Sequence, residues 1–225
     1  MMPRKNNPKE TVERILTASL ELFCEKGFDK TSMQDIVDAS DISKGAIFYH
    51  FNSKEEIFNA GMEKYLEHKK QLMSQLFVEI KGLTAKEKLK SLIEKSLADE
   101  EDFEANKVLA TAIDSPHLLL AIMRGGLKKS APLIAEIIRE GVADGSITTE
   151  FPDECAEVFL LLYNYWCEPY IYECDLPTIY RRLTFLQFLM KQLGVDIITD
   201  EIITASMKFT ENLYREVIKW TAQNQ

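Results

Sequence analysis

The sequence predicts an all-α protein with an N-terminal three-helix helix-turn-helix domain at residues 1–54 and a C-terminal helical domain at residues 55–225. Apolar residues recur at helical spacing in nearly every segment, and no segment shows the alternation of a half-buried strand. Capping residues, prolines and glycines separate these segments, which together predict about nine to ten helices.

The first 54 residues predict three short helices. Asn7 is the predicted cap of the first helix, with Pro8 at its first position and Gly27 at its end. Thr31 is the predicted cap of the second helix, with Gln34 in the reciprocal position of a capping box, and the third helix starts at Ser43. The first helix places five apolar residues on one face: Val12, Ile15, Leu16, Leu20 and Phe23. The shared core of the three helices is predicted to contain Phe23, Phe28, Ile36, Val37, Ile42, Ile47 and Phe51.

Further helices are predicted along the rest of the chain. A long one runs from residue 53 to about Lys81 and spans roughly 40 Å at about 1.5 Å per residue. The segment from Phe103 to Lys129 is harder to interpret, but Ser115-Pro116 is predicted to begin a helix and Gly125-Gly126 to end or kink one. The other predicted helices cover about 85–100, 132–145, 153–173, 176–193 and 196–224. Pro169 is expected to break or kink the third of these five.

Composition indicates a soluble globular protein, with 46% hydrophobic and 28% charged residues. No apolar run approaches the roughly 20 residues that a membrane-spanning helix needs. The basic N-terminus has no apolar segment behind it, so it does not resemble a secretory signal. We therefore expect a cytoplasmic protein.

The charge is unevenly distributed. The chain carries a net charge of −9, but the eight Lys/Arg of residues 1–54 balance eight Asp/Glu, so all of the excess negative charge lies in residues 55–225. A neutral N-terminal domain can still bind nucleic acid if its cations face the phosphates.

Residues 43–51 have the composition of a helix that enters a DNA groove. Small residues allow close approach, while Lys44 and His50 offer hydrogen-bond donors. The whole run Ser-Lys-Gly-Ala-Ile-Phe-Tyr-His-Phe-Asn-Ser-Lys, residues 43–54, resembles the helix-turn-helix of the TetR/AcrR family of bacterial transcriptional regulators. The resemblance covers about residues 9–58; beyond them it covers the helical layout and the stretch 138–147.

The resemblance implies a regulator, most simply a ligand-responsive repressor that binds a palindromic DNA operator as a homodimer. The implied contacts to DNA are Thr31, Ser32, Lys44, Gly45, Ala46, Phe48, Tyr49, His50 and Lys54. Gly45 and Ala46 are interpreted as too small to pack a core and as allowing close approach. Two positions depart from the family pattern: Phe48 stands where a Tyr is usual, and Asp41 stands in the turn where Gly is frequent.

The acidic C-terminal domain is expected to dimerise and to bind a small apolar or aromatic effector. Helices 153–173 and 176–193 carry more large apolar side chains than one face can bury, which favours a partner subunit. The predicted effector contacts are Phe103, His117, Met123, Tyr163, Trp166 and Tyr170, and Glu168 is a further polar candidate.

Two alternatives stay open. One is a helix-turn-helix activator, or another regulator, without a small-molecule effector. The other is an enzyme with a helical substrate pocket, which is disfavoured because the chain has three histidines and no phosphate-binding loop or nucleophile elbow. Cys24, Cys155, Cys167 and Cys174 form no C-x-x-C pair, so reduced thiols are expected, with no metal and no cofactor.

Overall fold

A computed structural model describes residues 8–64, 67, 82–100, 103, 106–107, 110, 116–172 and 174–223 of this chain. Within these ranges the regular elements are helical, and none is a strand. The N-terminal unit contains α1 (Pro8–Lys26), α2 (Met33–Ser40), α3 (Lys44–His50) and the start of α4 (54–64). The helices of the body are α5 (Ala85–Ala98), α6 (Pro116–Gly125), α7 (Ala131–Asp144), α8 (Pro152–Leu161), α9 (Pro169–Tyr172), α10 (Leu176–Gln192) and α11 (Asp200–Gln223).

The cap of α2 differs from the sequence prediction. Ser32, not Thr31, is the N-cap, and Asp35, not Gln34, completes the capping box. The Ser32 amide and hydroxyl both donate to Asp35 Oδ2, at 2.7 and 2.6 Å. Thr31 is 2% exposed, and its hydroxyl donates to the Gly27 carbonyl at 2.8 Å. Ser32 and Asp35 form the same kind of capping box as the predicted pair, one residue later along the chain.

The turn between α2 and α3 accepts Asp41 in the left-handed conformation, with φ of 52°. Arg14 of α1 donates to the carbonyls of Ser40 and Asp41, at 2.9 and 3.3 Å. Ser43 then caps α3. The turn is thus stabilised from α1 as well as by its own residues. The predicted cap of α1, Asn7, lies outside the described residues.

The N-terminal core contains the predicted residues and three more, Ile15 of α1 and Ile57 and Phe58 of α4. Phe23, Phe28, Ile36, Ile42, Ile47 and Phe51 are buried together, and Val37 packs against them. Ile57 and Phe58 of α4 complete this core, and Phe58 contacts the rings of Phe23 and Phe28 with centroids 6.2 and 5.6 Å apart. Leu20 is 44% exposed, so its placement on the buried face of α1 was wrong.

The body has its own core between α5, α7, α8, α10 and α11. Two π-helical turns interrupt its helices, Gly126–Ser130 between α6 and α7 and Leu162–Trp166 after α8. The predicted helix 153–173 is therefore broken before Pro169, as the proline indicated. The last helix begins at Asp200 rather than Asp196, because Val195, Ile197 and Ile198 form a buried loop segment in the core.

The two cores meet through α6. Ile122 packs against the N-terminal core, and Lys129 forms an ion pair with Glu63 of α4 at 3.0 Å. Since Ile57 and Phe58 belong to the N-terminal core, we propose that the domain boundary lies within α4 rather than at residue 54. Among the described residues, no helix is long and apolar enough to cross a membrane.

Two helical glycines give a matched test of core packing. A Cβ at Gly141 in α7 would lie 2.6 Å from Ile147 Cδ1, whereas a Cβ at Gly61 in α4 would meet no atom within 4 Å. We expect Gly141→Ala to lower the free energy of unfolding by about 1–3 kcal/mol through overpacking. Gly61→Ala should raise it by up to about 1 kcal/mol, because alanine favours the helix. Urea unfolding of both variants measures this, and equal effects at the two sites would contradict the described packing around Ile147.

Candidate nucleic-acid interface

Six of the nine predicted DNA contacts lie on α3, and four of them are on its outward face. Ile47 is fully buried under the helix, so Lys44, Gly45, Phe48 and Tyr49 are turned to solvent. Tyr49 is 84% exposed and Phe48 is 41% exposed, which is unusual for large aromatic side chains. Such side chains lose apolar contact with water when a partner covers them, which favours an interface on this face.

The polar groups of α3 lie beside these rings. Lys44 Nζ is 5.9 Å from the centroid of the Phe48 ring, within the range of a cation–π contact. His50 meets Tyr49 edge to face, with ring centroids 5.0 Å apart. The ammonium and the phenol therefore project from one short helix, where they are available as donors to a phosphate or a base.

The two small residues of α3 have different surroundings. A Cβ at Gly45 would meet no atom within 4 Å, so this position is open to a close approach. Ala46 is half-buried and packs against the N-terminal core. The interpretation that Ala46 is too small to pack a core was therefore wrong, because Cβ alone reaches the neighbouring side chains at this position.

Two of the predicted phosphate contacts, Thr31 and Ser32, are occupied within the protein. The Thr31 hydroxyl is buried against the Gly27 carbonyl, so it stabilises the α1–α2 turn and we do not retain it as a DNA contact. Ser32 is exposed, and its hydroxyl donates to the capping carboxylate of Asp35. Ser32 stands at the N-terminus of α2, where the helix dipole favours an anion.

Lys54, in the first turn of α4, is held against the α1–α2 turn. Its ammonium donates to the carbonyls of Phe28 and Asp29, at 2.8 and 3.1 Å, and lies 4.5 Å from the Phe28 ring centroid. An ammonium has three donors, so one remains for a phosphate. Lys54 therefore links α4 to the turn between α1 and α2. The sequence predicted only its contact with a DNA phosphate.

Two carboxylates near this surface, those of Asp35 and Asp41, are paired with cations. Lys26 forms an ion pair with Asp35 at 2.7 Å, and the hydrogen bonds from Lys26 and Ser32 hold the pKa of Asp35 well below its usual value. Arg14 lies 3.5 Å from the carboxylate of Asp41, the residue that departs from the family pattern. These pairs reduce the negative potential of the domain that is proposed to approach phosphates.

The predicted effector contacts are only partly brought together. Tyr163 and Trp166 both pack against the body core, and Met123 is half-buried on α6. The Tyr163 hydroxyl is 2.7 Å from the Ser206 hydroxyl, and the Arg182 guanidinium lies 5.1 Å from the Trp166 ring centroid. Phe103 instead lies at a separate pocket between α5 and α11. The side chains of His117 and Tyr170 lie outside the described residues.

Glu168 follows the second π-helical turn and is the most unusual carboxyl group of the body. Burial raises its pKa to about 7, and no hydrogen-bond donor among the described residues reaches its carboxylate. Neighbouring Cys167 is buried too, and burial raises the pKa of its thiol to about 12, which opposes thiolate chemistry there. The described residues contain no group of three or more His, Cys, Asp or Glu arranged to hold a metal ion.

Comparison with known proteins shows a likeness in the N-terminal domain. Residues 15–60 match the model of "Bacterial regulatory proteins, tetR family". YerO, an HTH-type transcriptional regulator of Bacillus subtilis strain 168, is 38% identical over 98 residues, which cover 44% of this chain and 33% of YerO. IcaR of Staphylococcus epidermidis, a negative transcriptional regulator of the biofilm operon icaADBC, is 37% identical over 51 residues, which cover 23% of this chain and 28% of IcaR. The chain thus matches about a third or less of the length of these curated relatives.

Solved structures extend the likeness to the whole fold. A TetR-family transcriptional regulator from Syntrophomonas wolfei superposes with a TM-score of 0.61 over 92% of this chain and 96% of that chain, at 21% identity. GusR of Salmonella enterica superposes with a TM-score of 0.55 over 95% of this chain and 100% of that chain, at 20% identity. At these identities the likeness establishes the fold of the body and not its ligand.

The buried carboxyl group of Glu168 predicts a pH dependence of stability. Because its folded-state pKa is about 7 against a usual value of 4.5, the folded protein holds a proton that the unfolded chain releases. The free energy of unfolding should therefore fall as pH rises through this window, by up to about 1.4 kcal/mol per pH unit, and level off above it. Urea unfolding from pH 4 to 9 should show the fall in the wild type and in Glu157→Gln, a control at an exposed position, but not in Glu168→Gln. A difference between wild type and Glu168→Gln that is constant with pH would contradict the burial of this group.

Proposed function

We propose that this chain, which belongs to the TetR family of bacterial regulatory proteins through its N-terminal domain, is a transcriptional regulator that binds a palindromic DNA operator as a homodimer. The observation that carries the proposal is the outward face of α3, where Lys44, Phe48 and Tyr49 are exposed over a buried Ile47. Because the proposed ligand is chromosomal DNA, the expected location is the cytoplasm. IcaR is named as a negative regulator, which supports repression as the default activity here.

We assign distinct roles to the DNA-facing residues. Gly45 allows the helix backbone to approach the groove, and Lys44, Tyr49 and His50 supply donors from the same helix. Phe48 lacks the hydroxyl that is usual in the family, so it contributes apolar contact. Ser32 and Lys54 bracket α3 from the starts of α2 and α4, where they position the phosphate strand without reading sequence.

The homodimer is proposed to form through α10 and the segment 153–173. Tyr180, Phe185 and Phe188 of α10 are 54%, 50% and 58% exposed, while Ile179, Leu183 and Leu186 of the same helix are buried in the body core. The helix is therefore apolar on two sides, and one chain buries only one of them. A second copy that covers the outer side would pair two α3 helices, as a two-fold operator requires.

A small apolar or aromatic effector is proposed to bind the body and change the affinity for DNA. The contacts between the body core and the N-terminal core give a route by which effector binding can change the affinity for DNA. Tyr163 is hydrogen-bonded to Ser206 of α11, and the hydroxyl of nearby Tyr165 lies against Gly126, where an added Cβ would be 3.3 Å away. The π-helical turn that starts at Gly126 follows α6, whose Ile122 packs on the N-terminal core. A shift of α11 can thereby reach the domain that holds α3.

Two other functions have less support. A regulator without an effector would have the same N-terminal domain, and an effect of a small molecule on DNA binding would exclude it. An enzyme is not favoured, because the family and the matched curated proteins are transcriptional regulators.

The DNA-binding proposal predicts different results for two lysines. Duplexes selected from a random pool by the purified protein should be palindromic, and Lys44→Ala should weaken their binding and reduce the slope of log K against log salt by about one per lost phosphate contact. Its free energy of unfolding should stay within about 0.5 kcal/mol of wild type, since Lys44 is exposed. Lys54→Ala should weaken DNA binding and also lower the free energy of unfolding by about 1–2 kcal/mol, because two hydrogen bonds to carbonyls are lost.

Lys95→Ala is the control for these lysines, because Lys95 is exposed on α5 in the body, outside the proposed DNA face and dimer interface, and it should change neither property. Gel-shift titration and urea unfolding make the two measurements. Selection of no duplex, or wild-type affinity in Lys44→Ala, would reject the assigned face.

The dimer proposal predicts that Phe188→Glu yields monomers and loses operator binding while the N-terminal domain stays folded. A charge on the covered face costs desolvation that the dimer cannot offset. Val142→Glu is the matched control, because Val142 is 44% exposed and lies on α7, outside both α10 and the segment 153–173. Sedimentation velocity at micromolar concentration measures the state; a monomeric wild type, or a dimeric Phe188→Glu variant, would rule out this interface.

A further inference from the structure

A pocket lies between the C-terminal end of α5 and the middle of α11, apart from the aromatic cluster of Tyr163 and Trp166. Its volume is about 590 Å³, within the range of small-molecule sites. Residues 94, 97 and 98 share one face of α5, and residues 205, 208, 209 and 212 share one face of α11. The pocket is therefore formed where two regular helix faces diverge, with residues 99, 100 and 103 closing one end.

The floor of the pocket is apolar and aromatic. Phe103 and Phe209 meet edge to face, with ring centroids 5.5 Å apart, and both are half-buried. Leu97, Ala98 and Ala205 complete the apolar lining. The faces of phenyl rings carry partial negative charge, which attracts a cation.

The rim of the pocket is acidic. Among the described residues that line it, Glu94, Asp99 and Glu100 contribute three carboxylates, and Lys208 contributes one ammonium. In the part of the chain that the structure describes, no ion pair or hydrogen bond engages the carboxylate of Glu94 or of Glu100. A concave site with this lining concentrates negative potential over an apolar surface.

We infer that this pocket binds an organic cation with an apolar or aromatic body. The rings and alkyl groups would hold the body of the ligand, and the carboxylates would face its positive charge. The inference rests on the proposed function in one respect: it specifies the charge of the effector. The site adjoins Ser206, the partner of Tyr163, so occupation of the pocket acts on the helix that begins the route to the N-terminal domain.

The test uses two probes of the same shape and opposite charge, tetraphenylphosphonium and tetraphenylborate. Isothermal titration of the full-length protein should show saturable binding of the phosphonium, with binding of the borate at least tenfold weaker. The double variant Glu94→Gln/Glu100→Gln should weaken phosphonium binding by about fivefold for each charge removed, and Lys208→Met should strengthen it by a similar factor. Phe209→Ala should weaken both probes.

Glu211→Gln is the matched control on α11, because its carboxylate pairs with Arg215 at 2.5 Å and does not line the pocket. Glu94 and Glu100 are exposed, so their variants keep the fold, which circular dichroism checks. Equal affinities for the two probes would overturn the inference, as would phosphonium binding that the acidic variants leave unchanged.

A second measurement separates this inference from the proposed function. Phosphonium at saturating concentration should weaken binding of a selected duplex by the wild type, and the double variant should need more of it. Phosphonium binding without any duplex binding would reject the regulator and keep the site. Duplex binding that ignores the bound phosphonium would reject the site as that of the effector.

Discussion

The burial of Ile36, Ile47, Phe28 and Phe58 in one small core is the constraint on which the N-terminal domain depends. A helix of seven residues such as α3 has no stability of its own, because the cost of nucleation exceeds what so few hydrogen bonds return. Tertiary packing has to hold it, and the packing that buries Ile47 also determines which side chains face outward. The exposure of Lys44, Phe48 and Tyr49 is thus a consequence of how the core is filled.

Polar contacts then align the helices around that core. Arg14 binds the turn between α2 and α3 from α1, and Lys54 binds the turn between α1 and α2 from α4. Each is a charged side chain that donates to backbone carbonyls, a stronger bond than one between neutral groups. A domain of this size buries little apolar surface, so such contacts take a larger share in fixing helix orientations. Lys54, one of the proposed DNA contacts, therefore also acts as a structural link, as Arg14 does.

Contacts made by the two π-helical turns connect the helices of the body to one another and to the N-terminal core. In the turn Leu162–Trp166, Tyr163 contacts α11 and Tyr165 contacts Gly126, where the other turn begins. These contacts link α11 to the N-terminal core. A π-helical turn departs from the regular helical register and often marks a functional position. Here both turns lie on the path between the proposed effector pocket and Ile122. The acidic rim of that pocket also accounts for part of the negative charge that the sequence places entirely in residues 55–225.

The sequence alone determined the helical class, the helices of the N-terminal domain, most of its core and its likeness to a family, because helical periodicity and capping are local signals that a short motif retains. It misjudged the cap of α2, since Thr31 and Ser32 are equally suited to capping and only packing decides which of them is buried. It also missed the second role of Lys54, the buried loop from Val195 to Ile198 and the pocket between α5 and α11. Each of these features depends on contacts between residues that are far apart in the chain. Local sequence patterns do not reveal which distant residues come into contact. Tertiary structure therefore decided the arrangement of charged and aromatic side chains, and with it the chemistry proposed for the body.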